Sequence, residues 1–144
     1  MTEINNNYNN QPIFFGNKKK EVPMTNEEKM QVIMAKGREE LCDMTEREVP
    51  ENGDFKKVVI AFLIPDSNNE AEVSVESDKN NFKTQRYLSV GVHHKSRDRL
   101  LSKYILNGTK KEILDYLNDD KNQTEIIEKI QELSKKVDNY YNSL

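Results

Sequence analysis

A run of seven apolar residues at positions 58–64 constrains the fold of this chain more than any other sequence feature. The run is rich in β-branched side chains and is far shorter than the roughly 18 residues that a membrane-spanning helix needs. Successive side chains of a strand point to opposite faces of a sheet. We therefore predict a strand at 55–64 whose two faces are both covered, by helices or by a second copy of the chain.

Two more strands are predicted to follow the first one. Residues 71–77 alternate apolar with polar or charged side chains, and the segment at 82–93 shows the same spacing. With a loop of even length between them, the two strands place their apolar side chains on one shared face. These side chains are Ala71, Val73, Val75, Leu88, Val90 and Val92.

Helical patterns surround the predicted sheet. Residues 25–28 form a capping-box motif ahead of a helix that is interrupted by Gly37, where a neighbouring element can approach closely. After the sheet we predict a helix that begins at Ser96 and ends at Gly108, and a second capping box at 109–112. In the last helix, apolar residues recur with the heptad period. They are Ile126, Ile130, Leu133, Val137, Tyr140 and Leu144.

These elements predict a single α+β domain at 23–144. Its sheet is a small three-stranded antiparallel meander, preceded by one helix and followed by two to three helices. The Asn- and Lys-rich segment at 1–22 is predicted to be a flexible, disordered tail, because it has too little apolar surface to offset its ordering entropy. For the apolar residues in that tail, packing onto their own domain and binding to a partner are both open. They are Ile13, Phe14 and Phe15.

The subcellular location is predicted from features that the sequence lacks. The chain has a single cysteine, Cys42, so no disulfide can form within it, and a reducing compartment is expected. The N-terminal residues carry neither the basic start nor the apolar stretch of a secretory signal. We therefore expect a cytoplasmic protein that does not enter a membrane. Abundant Asn, and Lys in excess over Arg, fit an AT-rich coding sequence of a bacterium or its phage.

The sequence offers no catalytic constellation, so we predict a non-enzymatic protein without cofactor or metal. His93 and His94 are adjacent on a predicted strand and would point to opposite faces, which prevents both from binding one metal ion. Cys42 lies near an apolar helical stripe, where a thiol is usually buried and inert. The paired carboxylates are not placed in a recognisable cleft, and the five glycines are too scattered to form a phosphate-binding loop.

Charge is unevenly distributed along the chain. Between positions 83 and 103 there are six basic residues against one acidic residue, whereas 66–78 holds five acidic residues and no basic one. One interpretation is that the basic segment is a surface that binds anions or nucleic acid. The other, which we favour, is that the acidic strand neutralises it across the hairpin, as Glu76 would neutralise Lys83. The residues of the binding alternative are Arg86, Lys95, Arg97, Arg99 and Lys103.

Two further alternatives concern partners of opposite charge. A helix-turn-helix at 97–107 and 109–118 would bind DNA, but the net charge of −3 and the acidic residues of its second helix disfavour it. The acidic hairpin at 66–78 would instead suit an inhibitor of a basic protein.

Our leading hypothesis is a small homo-oligomeric protein that functions by protein–protein interaction and assembly and is encoded by a phage or mobile element. Only 35% of the residues are hydrophobic, so the chain has a modest core with which to cover both faces of the first strand. Association between copies would supply the missing cover. The residues assigned to self-association are Ile60, Leu63, Ile130, Leu133, Val137 and Tyr140.

Overall fold

The computed structural model describes residues 22–47, 57–78 and 85–143, and within these ranges it is an α+β fold with one antiparallel sheet. The prediction of this class, with one helix before the sheet and helices after it, is confirmed. Residues 1–21 of the predicted tail, with Ile13, Phe14 and Phe15, lie outside the described residues, as does Lys83. The elements are α1 (Asn26–Arg47), β1 (Lys57–Leu63), β2 (Asn69–Ser77), β3 (Arg86–His94), β4 (Leu101–Gly108), α2 (Lys110–Asn118), a 3₁₀ turn (Asp120–Asn122) and α3 (Gln123–Asn142).

The sheet has four strands, in the order β1-β2-β3-β4, and the prediction of three strands is wrong. The segment predicted to be a helix ending at Gly108 is the edge strand β4, which pairs with β3. The helix-turn-helix alternative is therefore also wrong, because its first helix is a strand.

A β-bulge explains why the strand pattern of β4 was missed. Leu101 lies opposite Val92 and Leu106 lies opposite Leu88, so six residues of β4 lie opposite five residues of β3. The register shift allows Leu101 and Leu106 to pack against the same core although they are an odd number of residues apart. This spacing breaks the two-residue period of a strand and imitates the period of a helix.

The predicted hairpin register between the second and third strands is confirmed. Val73 of β2 lies opposite Ile60 of β1 on one side and Val90 of β3 on the other. All three side chains are buried, on the face of the sheet against which α1, α2 and α3 pack. The opposite face carries Val59 and Tyr104, which are both exposed.

Helix α1 packs closely on β1. Its predicted capping box is present, because the Thr25 N–H donates to the Glu28 carboxylate at 2.8 Å and the Glu28 N–H donates to the Thr25 hydroxyl at 3.1 Å. A Cβ atom at Gly37 would lie 2.6 Å from Cδ1 of Ile60. The absence of a side chain at Gly37 is what lets this helix approach the strand so closely.

The buried Arg38 anchors α1 to the corner between α2 and α3. Its guanidinium donates to the Leu117 carbonyl at 2.5 Å, to the Gln123 amide oxygen at 2.9 Å and to the Asp120 carboxylate at 2.8 Å. A buried charge is tolerated when its hydrogen bonds are satisfied. Arg38 therefore has a structural role here.

The heptad seam of α3 packs on its own sheet. Ile126, Ile130, Leu133 and Val137 are buried in the core, whereas Tyr140 is 40% exposed. Three residues assigned to self-association, Ile130, Leu133 and Val137, are therefore not on the surface, and a fourth, Ile60, is also buried.

Candidate functional site

The outer edge of β1, with which no strand of the described ranges pairs, is the first candidate site. The Ile64 N–H donates to the Asn69 carbonyl at 3.0 Å, so the even-numbered residues of this strand direct their backbone groups toward β2. By alternation, Val59, Ala61 and Leu63 direct their N–H and C=O groups away from the sheet. Their side chains lie on the face opposite to the helices, and Val59 and Leu63 are 43% and 59% exposed.

Both faces of β1 were predicted to be buried, and within the described residues only the face toward the helices is. Ile60 and Ile64 are buried, and Val58 and Phe62 are partly buried against the core. Of the six residues assigned to self-association, only Leu63 and Tyr140 are exposed, and they lie on different elements.

The two edges of the sheet differ in how well they are protected. β4 carries the bulge and the exposed polar residues Ser102, Lys103 and Asn107. β1 is paired in regular register along its whole length, and it has no charged residue between Val58 and Leu63. Bulges and charges are the usual means of preventing strand addition, so β4 is protected and β1 is not.

Two grooves lie along β1, where α1 runs beside the strand. One has a volume of about 750 Å³, and its lining includes Leu63 and Pro65. It also includes two exposed apolar residues, Met24 just before α1 and Val32 within α1. The other, of about 460 Å³, lies at the start of the strand, and its lining includes Val59, Ala61 and the more polar end of α1. The unprotected edge is therefore bordered by partly apolar depressions.

The acidic hairpin is partly engaged in contacts of its own. Glu70 pairs with the His93 ring at 2.9 Å, and Asp78 accepts a hydrogen bond of 2.5 Å from the Tyr87 hydroxyl. This bond is the main cause of a raised pKa at Tyr87. The suggested partner of Glu76, Lys83, lies outside the described residues.

The structure divides the five basic residues of the predicted anion site. Arg86 is buried, at 4% exposed, and donates to the Gln85 carbonyl at 3.1 Å. Lys103 forms an ion pair of 3.2 Å with Glu132 of α3, whose pKa is lowered chiefly by that hydrogen bond. The remaining three, Lys95, Arg97 and Arg99, are exposed in the connection between β3 and β4.

Arg97 and Arg99 meet two tyrosines at the end of α3. The guanidinium carbon of Arg97 lies 5.2 Å from the ring centroid of Tyr141, and that of Arg99 lies 4.8 Å from the ring centroid of Tyr140. The two rings are themselves 4.9 Å apart in an edge-to-face arrangement. Both distances are within the range of a cation–π interaction, so the rings hold the two cations together.

A small cavity opens beside these residues, with a volume of about 180 Å³. Lys136 of α3 lines it together with Arg99 and Tyr140. We call Arg97, Arg99, Lys136, Tyr140 and Tyr141 the basic aromatic cluster. Sequence analysis missed Lys136 and did not link Tyr141 to the arginines, although the one-turn spacing between Lys136 and Tyr140 places both on one side of α3.

His93 links the sheet to the connection that carries the two arginines. Its Nδ1 contacts the carbonyl oxygens of His94 at 2.9 Å and Arg97 at 3.1 Å, and its Nε2 contacts Glu70 at 2.9 Å. Burial lowers the pKa of His93, but the hydrogen bonds to these acceptors outweigh it, and the net pKa is raised above 6.5. The protonated ring satisfies acceptors on both of its sides.

The other nucleophilic and metal-binding candidates form no site. Burial is the largest cause of a raised pKa at the half-buried Cys42 thiol, which disfavours the reactive thiolate. The His94 Nδ1 accepts a hydrogen bond from the Ser96 N–H, and the ring packs on Tyr141 with centroids 5.7 Å apart. Among the described residues, no three His, Cys, Asp or Glu side chains are grouped to hold a metal ion.

Comparison of the chain with protein-family models, with curated proteins and with solved structures gave no match. In the described part of the chain, none of the helices combines the length and the apolar character needed to span a bilayer. Function is therefore inferred from the geometry.

Proposed function

We propose that this chain is a small non-enzymatic assembly protein that self-associates by pairing β1 of one copy with β1 of a second copy. The observation that carries the proposal is the contrast between the two sheet edges in the described residues: β4 has a register shift and exposed polar residues, whereas β1 is regular and apolar, and none of the described strands pairs with its outer side. A regular edge with outward backbone donors and acceptors is a template for strand addition.

The charge pattern of β1 supports a second copy as the partner. Lys57 is the only charged residue of the strand, and it stands at one end. Antiparallel pairing centred near Ile60 and Ala61 sets the apolar middle of each strand against the same region of its partner. The two lysines then lie at opposite ends of the new pair, so that like charges do not meet.

The side chains along the edge favour the same arrangement. Val59 and Leu63 are partly exposed in one copy. Pairing places each of them beside apolar residues of the second strand, so that both lose contact with water. A twofold arrangement also lets the groove next to Leu63 on each copy receive the strand end of the other. The product is one continuous sheet with the helices of both copies on the same face.

The single Cys42 and the Asn- and Lys-rich composition support a cytoplasmic protein of a bacterium or phage as the setting for this activity.

The test is to add a charge at the β1 edge and to measure mass by light scattering. Ala61 is exposed and directs its backbone groups outward, so Ala61→Lys puts an ammonium group in the centre of the proposed pair without entering the core. We expect the wild type to be a dimer at micromolar concentration and Ala61→Lys to be a monomer, with an unchanged circular dichroism spectrum.

Ser102→Lys is the matched control, because Ser102 is also exposed but lies on the β4 edge. We expect this variant to remain a dimer. A wild type that is monomeric at high micromolar concentration contradicts the proposal, and so does dissociation of both lysine variants to the same extent.

A further inference from the structure

We propose that the basic aromatic cluster is a binding site for a phosphate group, which Arg99 and Lys136 contact in the cavity that they line, with the positive charge of Arg97 beside it. The cluster lies where the C-terminal end of α3 meets the connection between β3 and β4. The strand proposed for self-association, β1, is at the sheet edge opposite to β4. The inference is therefore independent of the proposed function.

Each of the two arginines is positioned by a tyrosine ring. The guanidinium carbons of Arg97 and Arg99 lie 5.2 and 4.8 Å from the ring centroids of Tyr141 and Tyr140. A guanidinium in a cation–π contact keeps N–H groups that can donate to an anion. Paired donors of this kind are how arginine binds phosphate.

The rings that hold the arginines are themselves held in place. Tyr141 packs against the core and makes edge-to-face contacts with both Tyr140 and His94. The connection carrying Arg97 is tied to β3, because the Arg97 carbonyl accepts a hydrogen bond from the His93 Nδ1 at 3.1 Å. Preorganisation of this kind lowers the entropy that ligand binding has to overcome.

The cluster keeps an excess of positive charge among the described residues. There, no ion pair joins Arg97, Arg99 or Lys136 to a carboxylate. Glu132 pairs instead with Lys103 at 3.2 Å. Asp98 between the two arginines, and Asp138, which accepts a hydrogen bond from the neutral Asn69 amide at 2.9 Å, offset part of this charge.

The lining of the cavity and the charge beside it indicate the ligand. Arg99 and Lys136 line the cavity together with Leu101, Val137, Tyr140 and Tyr141, and Arg97 lies against the Tyr141 ring. The positive charge of these three residues matches a phosphate dianion better than a single carboxylate. Because Arg86 is buried and Lys103 is paired, these residues extend no basic track from the cluster that would follow a long polyanion.

The experiment is calorimetric titration of the full chain with inorganic phosphate, using two adjacent lysines of α3. Lys136 lines the cavity, whereas Lys135 is exposed and does not. Lys136→Gln and Lys135→Gln remove the same charge from the same helix. We expect Lys136→Gln to weaken phosphate binding about tenfold and Lys135→Gln to leave it nearly unchanged. We also expect added phosphate to shift the ring resonances of Tyr140 and Tyr141 and not those of Tyr116.

Parallel titrations identify the source of the phosphate group. Binding of AMP more tightly than inorganic phosphate supports a phosphomonoester ligand, and the reverse order supports the free ion. Equal weakening by both lysine variants would show diffuse charge and overturn the site, as would acetate binding as tightly as phosphate. Binding of a single-stranded oligonucleotide in the absence of any phosphate binding would also overturn it. Ala61→Lys should bind phosphate as the wild type does.

Discussion

At the scale of single residues, His93 makes more contacts than any pattern in the sequence suggested. Its ring contacts Glu70 on β2, the carbonyl oxygen of His94 at the end of β3 and that of Arg97 in the following connection. Sequence reasoning placed His93 and His94 on opposite faces, and the two rings do have different partners. The contacts of His93 depend on a backbone turn, and the direction of carbonyl groups is not encoded by side-chain type.

The raised pKa of His93 predicts that stability depends on pH. A base whose pKa is higher in the folded state binds its proton more tightly there. Its contribution to the free energy of unfolding is fully present below the ordinary pKa of 6.5 and is lost as the pH rises through the higher folded value. We expect His93→Gln to be less stable than the wild type by about 1 kcal/mol in mildly acidic solution.

Urea unfolding at a series of pH values checks this prediction. The difference between the wild type and His93→Gln should shrink as the pH passes above the folded pKa of His93. A difference that is constant with pH, or that grows toward alkaline pH, contradicts it. NMR titration of the His93 ring measures the pKa directly.

At the scale of elements, the helices whose starts carry capping boxes were predictable, whereas β4 was not. Thr25 and Thr109 both begin helices in the predicted way, since each side chain bonds locally to a backbone N–H. The apolar residues of β4 have a helical spacing because a bulge changes their parity, and a bulge depends on the facing strand. Long-range pairing therefore overrode the local pattern in this segment.

The contact between Gly37 and Ile60 predicts a coupling between α1 and β1. Alanine is favoured over glycine in a helix by about 1 kcal/mol. In the wild-type background a Cβ at Gly37 would lie 2.6 Å from the Ile60 Cδ1, so we expect Gly37→Ala to gain nothing or to destabilise. Ile60→Val removes that Cδ1 atom.

In the Ile60→Val background we therefore expect Gly37→Ala to stabilise by about 1 kcal/mol. Thermal or urea unfolding of the four proteins measures the coupling. If Gly37→Ala has the same effect in both backgrounds, close packing at this point does not limit the approach of the helix.

At the scale of the whole molecule, folding and association are expected to be separable on one strand. Ile60 is buried in the core, whereas Leu63, three residues along, is 59% exposed. We expect Ile60→Lys to unfold the protein, because it buries an unpaired charge. Leu63→Lys should keep its fold and lose self-association.

Circular dichroism and light scattering on the two variants distinguish these effects. Loss of fold in Leu63→Lys would mean that this residue belongs to the core. A folded Leu63→Lys that still forms dimers would place the interface elsewhere than β1.

The candidate sites were only partly predictable from the sequence. Leu63 and Arg99 were assigned from their local patterns to self-association and to anion binding; both residues are exposed, and both roles stay predictions. Lys136 and Tyr141 were not linked to the arginines, because about 40 residues separate them along the chain. Only the packing of α3 across the sheet brings these groups together.

The bulge in β4 has a consequence for how far growth by strand addition can proceed. A subunit whose two edge strands could both pair with other copies would polymerise without limit into a filament. Among the described strands, β4 is irregular in register and carries exposed polar side chains, whereas β1 is regular. If two copies pair through β1 as proposed, their β4 strands form the two ends of the joined sheet, and we expect assembly to stop at a dimer.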